Sequence, residues 1–207
     1  MEMSETLAKL AAGVDLDSDE MTALMQSIMT GEATPAQIGS ALTALRIKGE
    51  TVEEITAAAR VMRDLSSKVP VSHDEMIDTC GTGGSGVNKF NVSTASAIVI
   101  ASAGLKVAKH GNRAASGVSG SADVLEAAGL RLDMSPDAVA ASIEEVGVGF
   151  LFAVNHHSAM KHAIGPRREL KFRTIFNLLG PLTNPAGAKR QVLGVFDSHW
   201  LTPMAEV

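Results

Sequence analysis

Residues 79–122 contain no aspartate or glutamate, although they hold four lysines and arginines, eight glycines and ten serines or threonines. Such a segment can surround an anion with backbone N–H groups, hydroxyls and positive charge, and no carboxylate competes for them. Gly81, Gly83 and Gly86 follow the G-x-G-x-x-G spacing, which in dinucleotide folds brings backbone close to a diphosphate. The acid that would grip a ribose hydroxyl about 20 residues further on is missing, since the next acidic residue is Asp123. Val87 stands where a Walker lysine belongs, which excludes that loop. The glycines alone fit a plain tight turn equally well.

The residues after the glycines favour an anion site. Asn91, Ser93 and Thr94 fall where a helix should begin, so an amide, two hydroxyls and N–H groups converge at the positive end of a helix dipole. A cap alone needs one such residue. A second polar loop, Lys109, His110, Gly111, Asn112, Arg113, Ala114, Ala115, Ser116 and Gly117, follows the next strand. In a parallel sheet both loops lie at the carboxyl ends of their strands. Two acid-free loops on one edge suggest a diphosphate and a second phosphate.

The elements that must position these loops are legible in the periodicity. Ser18 is a cap candidate for a helix with Met21, Leu24, Met25, Ile28 and Met29 on one face and Gly31 as its stop. Thr34 and Pro35 open a second helix, whose stripe is Ile38, Ala41, Leu42 and Leu45 and which stops at Gly49. Thr51 and Glu54 form a capping-box pattern for a third. The methionines fit core or subunit-interface packing better than a promiscuous binding surface. Beyond Pro70, strand patterns at 76–79, 106–108, 149–154 and 191–196 alternate with helical stretches near 93–103, 121–128, 136–146 and 166–178. Alternation of this kind implies an α/β domain with a mainly parallel sheet covered by helices. The expected organisation is a helical domain over 1–70 and an incomplete α/β domain over 71–207. Thr202 and Pro203 have the chemistry of a helix start, yet only Met204 to Val207 follow, so the chain is expected to be cut within that domain.

Composition narrows the class. The chain has 207 residues, 45% hydrophobic and 3% aromatic, enough for a real core but too few rings for base-stacking platforms. A single cysteine excludes a disulfide framework, and Cys80 reads as a packed turn residue. With no leader and no apolar run long enough to span a bilayer, the expected location is cytoplasmic, without a membrane partner. Net charge is -8 over residues 1–78 and +3 over 79–207, so the basic character sits with the loops. His156, His157 and His162 are spaced i, i+5 and i, i+6, which does not gather ring nitrogens on one helix face, and they read as packing residues.

Four runs carry a family resemblance: Asp78-Thr79-Cys80-Gly81-Thr82-Gly83-Gly84, Phe90-Asn91-Val92-Ser93-Thr94, Lys109-His110-Gly111-Asn112-Arg113, and the run from Arg173 to Pro185. Together they resemble the anthranilate phosphoribosyltransferase family across the whole chain. The resemblance implies a small helical domain, used for homodimerisation and gaining a later segment near 155–175, joined to a larger α/β domain with the site between them. It implies transfer of the 5-phosphoribosyl group from phosphoribosyl pyrophosphate (PRPP) to anthranilate, the second step from chorismate to tryptophan, with Mg2+ as cofactor and no nucleic-acid partner. On this basis Gly81, Gly84, Ser85, Lys89, Asn91, Val92, Ser93, Thr94, Lys109 to Gly117 and Ser121 hold the donor, with Ser93 also on the metal. Gly81, Asn112 and Arg167 hold anthranilate, and His110 lines its pocket. No covalent nucleophile is required.

Arg167 can fork onto a planar carboxylate, with Pro166 at a helix start fixing its direction; without the family motif it reads as one surface arginine of the basic run Arg167, Arg168, Lys171 and Arg173. The family often has an aspartate at Ser85, a hydroxyl residue at Lys89 and a proline-containing stretch at Val154-Asn155. Its magnesium-binding Asp-Glu pair would fall beyond residue 207, so the 207 residues are not expected to turn over by themselves. Two other readings stay open: a relative that uses the basic loops for nucleic acid, and a pyrimidine nucleoside phosphorylase.

Overall fold

The computed structural model describes residues 2–71, 74–83, 90–114 and 118–207. In chain order it comprises α1 (Met3–Ala11), α2 (Ser18–Thr30), α3 (Pro35–Lys48), α4 (Val52–Asp64), β1 (Ile77–Gly81), α5 (Val92–Ser102), β2 (Val107–Gly111), α6 (Ser121–Ala127), α7 (Pro136–Val146), β3 (Val148–Phe152), α8 (Ala153–His156), α9 (Lys161–Leu170), α10 (Ile175–Leu182), β4 (Arg190–Gly194) and α11 (Leu201–Glu206). The chain forms two compact units. One is Met1–Leu65 with Ser158–Leu182 and Ser198–Val207, and the other is Ser66–His157 with Thr183–Asp197. The linear division near residue 70 marks where the sheet begins, but the chain returns to the helical unit twice.

The helical unit follows its apolar stripes. Met21 and Met25 are fully buried beside Leu24, Ile28, Ile38, Leu42 and Ile55. The cap of α2 is Asp17, not Ser18: Asp17 Oδ1 accepts the Glu20 N–H (2.9 Å) and Glu20 Oε2 accepts the Asp17 N–H (2.9 Å). A carboxylate cap satisfies the same orphan amide and also meets the helix dipole. Thr34 with Gln37 and Thr51 with Glu54 form reciprocal boxes at α3 and α4. Glu54 does more than cap, since it is completely buried and also accepts the Leu16 N–H (3.0 Å) and Lys48 Nζ (2.9 Å).

The helix expected over 166–178 is two helices. α9 begins at Lys161, so Pro166 lies inside it and does not start it. It ends where Lys171 adopts φ 54°, and α10 restarts after the Thr174 N–H finds Asn177 Oδ1 at 3.0 Å. The last helix starts at Leu201 on a 3₁₀ turn over Ser198–Trp200, ahead of Thr202 and Pro203. So short a helix holds because it buries Trp200 and Met204 within the helical unit.

The second unit is a four-stranded, all-parallel sheet in the order β3-β2-β1-β4. Its strand bounds shift by one to three residues from the expected spans, and Ala153 and Val154 leave the sheet to form α8. Val69, Met76, Ala108, Val139, Ala140, Ile143 and Leu151 make its core. No helix among the described residues is long and apolar enough to cross a membrane.

Candidate active site

The strand order places β2 and β4 on opposite sides of β1, so the connections diverge at the carboxyl end of β1. Ligands of open α/β sheets bind in the crevice outside such a switch point. Gly81 pairs with Gly194 there. The next residue, Thr82, is buried; its N–H donates to the Gly194 carbonyl (2.9 Å), and its Oγ1 accepts the Phe196 N–H (3.0 Å). Gly83 has φ +68° with open space where a Cβ would stand, so the backbone conformation, not crowding, calls for glycine. Gly84, Ser85 and Lys89, together with Gly86, lie outside the described residues.

α5 starts without a side-chain cap. Asn91, the natural candidate, turns to the second loop: its Nδ2 donates to the Ser119 carbonyl (3.2 Å), and Ser119 Oγ donates to Asn91 Oδ1 (3.1 Å). The Ser93 carbonyl accepts Thr79 Oγ1 (2.8 Å), which ties the start of α5 to β1. Thr94 is buried, and its Oγ1 has no hydrogen-bond partner among the described residues. Val92 is exposed beside them.

In the second loop, the Asn112 carbonyl accepts the Ala122 N–H (3.2 Å) and Asn112 Oδ1 accepts the Arg113 N–H (2.8 Å). Asp123 Oδ2 accepts the N–H groups of Ala114 (2.9 Å) and Gly120 (2.7 Å), fastening the two ends of the loop. These two hydrogen bonds hold its carboxyl below the usual range. Arg113 forks onto Glu126 (2.7 and 2.9 Å), reaches Asp123 (3.1 Å) and lies over the Phe152 ring. Its guanidinium therefore braces α6 in this structure. Ser121 opens α6 beside Gly111. Ala115, Ser116 and Gly117 lie outside the described residues.

Lys109 and His110 are buried beneath the loops. Lys109 Nζ donates to the Thr79 carbonyl (2.7 Å), and burial lowers its pKa. The fully buried Asp78 accepts the His110 N–H (3.1 Å) and Gln191 Nε2 (3.1 Å), and burial raises its carboxyl. These hydrogen bonds join β1, β2 and β4.

The His110 ring lies 5.2 Å from that of His157, tilted by 52°. His157 is buried, and burial, followed by repulsion from His110 and His156, lowers its pKa from 6.5 to about 3. His156 is also buried, with Nδ1 2.9 Å from the Ser67 carbonyl. Val154 and Asn155 form part of α8, and Asn155 Nδ2 donates to the Leu132 carbonyl (2.6 Å).

The His157 shift has a defined sign. The unfolded chain takes up a proton near pH 6.5 and the folded chain only near pH 3, so the stabilisation is complete above 6.5 and is lost as the pH falls. The urea midpoint should drop between pH 7 and pH 5, and His157→Asn should flatten that dependence. An equally steep dependence in the variant would assign it to other groups.

Arg167 belongs to the helical unit. Its guanidinium stacks 5.0 Å from the Phe176 ring centroid, and burial lowers its pKa. It makes no ion pair or side-chain hydrogen bond with a described residue. Arg168 and Lys171 are exposed, so Arg167 is set apart from the basic run around it. The sequence offered no sign of Thr82, Ser119 or His157 as contributors; Asp123, three residues after Gly120, carried a recognisable capping spacing.

Residues 73–207 match the model described as "Glycosyl transferase family, a/b domain", and residues 4–66 match "Glycosyl transferase family, helical bundle domain". The chain belongs to this glycosyl transferase family. Within the family it is 62% identical over all 207 residues to an anthranilate phosphoribosyltransferase of Thioalkalivibrio sulfidiphilus, of which it covers 61%. The crystal structure of anthranilate phosphoribosyltransferase from Thermus thermophilus superposes with a TM-score of 0.92 at 49% identity, over 97% of this chain and 61% of that one. The Saccharomyces cerevisiae enzyme in complex with PRPP and Mg gives 0.90 at 29% identity, over 99% and 61%. The chain thus spans about three fifths of the length of these relatives.

Proposed function

We propose that these residues supply the donor and anthranilate contacts of a protein that transfers the 5-phosphoribosyl group of PRPP to the amine of anthranilate, in the cytoplasm, as a step of tryptophan biosynthesis, and that they do not turn over by themselves. The observation that carries this reading is the pairing of Asn91 with Ser119, which leaves the start of α5 uncapped beside the Gly81–Gly83 turn at the switch point of the sheet. N–H groups and hydroxyls there suit the pyrophosphate of the donor. As the anthranilate nitrogen bonds to the ribose carbon, the bond from that carbon to pyrophosphate breaks; the electron pair leaves with pyrophosphate, and the amine proton passes to solvent. The chain's part is positioning and stabilisation of the departing charge. Arg167, without an acidic partner among the described residues, suits the carboxylate of anthranilate.

A magnesium ion would neutralise the departing pyrophosphate. Ser93 offers a hydroxyl at the start of α5, an oxygen donor of the kind this ion accepts alongside substrate phosphates. Among the described residues no cluster of three His, Cys, Asp or Glu could hold a metal; the donor's phosphates would supply oxygens beside Ser93, and the Asp-Glu pair that the family resemblance assigns to magnesium falls outside these residues. The nucleic-acid reading loses support because Lys109 and Arg113 are engaged with Thr79, Asp123 and Glu126. Calorimetric titration with PRPP should show saturable binding that magnesium strengthens and pyrophosphate competes away, with no binding of an oligonucleotide. Failure to bind PRPP would overturn the proposal.

The homodimer belongs to the same proposal. In the helical unit a groove of about 640 Å³ is lined by α1, α3 and α9, including Ala36, Gly39, Ser40, Thr43 and Ala44. Ile47 at its rim is 81% exposed. Small residues let a second copy's helices approach closely, and an exposed isoleucine gains from burial. Sedimentation should show a dimer that Ile47→Asp converts to monomer; a monomeric parent protein would remove this face from the assembly.

A further inference from the structure

We propose that Ser119 is a positioning residue for the donor site, acting by keeping Asn91 from capping α5. This inference rests on the reading of that site as the place where PRPP binds. Asn91 occupies the N-cap position and is a residue type strongly preferred there. Left to itself, its Oδ1 would accept the N–H of Ser93 or Thr94. The Thr94 N–H already reaches the Asn91 carbonyl (3.0 Å), whereas the Ser93 N–H has no backbone acceptor among the described residues. The amide that Asn91 would silence by capping is thus the one at Ser93.

Ser119 prevents it with a reciprocal pair. It donates its hydroxyl to Asn91 Oδ1 (3.1 Å) and accepts Asn91 Nδ2 on its carbonyl (3.2 Å). Both ends of the Asn91 amide are occupied from 28 residues away in sequence. The Ser93 N–H stays available to a phosphate oxygen, and Thr94 Oγ1, buried in the next position and without a partner among the described residues, is consistent with a turn built to meet a ligand. The same pair ties the start of α5 to Ser119. Its role needs no contact between Ser119 and the donor.

The hydroxyl is the removable half of this arrangement. In Ser119→Ala, Asn91 Oδ1 loses its donor and turns to cap α5, so hydrogen exchange of the Ser93 amide slows. PRPP affinity then falls about 3- to 10-fold, the scale of one exchanged hydrogen bond, while the thermal midpoint stays within a degree or two. Ser119→Thr, which keeps the hydroxyl, restores the affinity. In an Asn91→Ala background, Ser119→Ala causes little further loss, because no competing cap remains. A full loss from Ser119→Ala in that background would show that Ser119 touches the donor directly and overturn the proposal, as would unchanged Ser93 exchange in the single variant. Absence of PRPP binding by the parent protein would refute the donor-site reading instead, and the exchange measurement would still decide whether Ser119 restrains Asn91.

Discussion

Gly120→Ala should abolish PRPP binding, with a loss of at least about 100-fold. A Cβ at this position would stand 2.4 Å from the Ala114 nitrogen, 2.5 Å from the Arg113 carbonyl carbon and 2.8 Å from the Asn112 oxygen. All three are backbone atoms, so no rotamer change relieves the clash. The chain must separate residues 112–114 from residue 120, and the bond from the Gly120 N–H to Asp123 (2.7 Å) goes with it. Ser119, one residue away, then no longer reaches Asn91. Overpacking of this kind costs about 1–3 kcal/mol of stability, so the protein should remain folded while the site is lost. Calorimetry beside a thermal melt would separate the two effects. Binding within threefold of the parent, in a protein that melts normally, would show that the second loop does not shape the donor site.

Arg167→Ala should weaken anthranilate binding by about 2–5 kcal/mol, the cost of removing one partner from a desolvated charge pair, and change PRPP affinity by less than twofold. The guanidinium already lies over the Phe176 ring with no acidic partner among the described residues, so its position is set before a ligand arrives and less side-chain entropy remains to be lost. Arg167→Lys should recover only a small part of the loss. An ammonium cannot fork onto a carboxylate, and it does not stack on the ring in the same way. Fluorescence titration of anthranilate into the PRPP-loaded protein reads both variants. An unchanged anthranilate affinity in Arg167→Ala would remove this residue from the site.

Within single elements the sequence is a reliable guide, because the physics there is local. Thr34 with Gln37, Thr51 with Glu54 and Ser135 at α7 cap helices as their spacing requires. The apolar stripes of α2 and α3 point into a core as their period demands. The alternation of strand and helix after Pro70 implied a parallel sheet and therefore put the glycine turn and the second loop on one edge. The acid-free composition of residues 79–122 suited that edge to an anion.

Where two remote segments compete for one group, the outcome is written in three dimensions. Asp17 takes the cap of α2 next to an equally plausible Ser18. Asn91 leaves α5 uncapped and pairs with Ser119 instead, and Arg113, expected on phosphate, braces Glu126. The break between α9 and α10 and the return of residues 198–207 to the helical unit likewise depend on what those segments bury. Caps, periods and glycine turns are settled among residues three or four apart, so a one-dimensional pattern records them. The partners of Asn91, Asp78, His157 and Trp200 are settled by burial and by hydrogen bonds across long loops, whose energies exist only after the chain has brought those residues together.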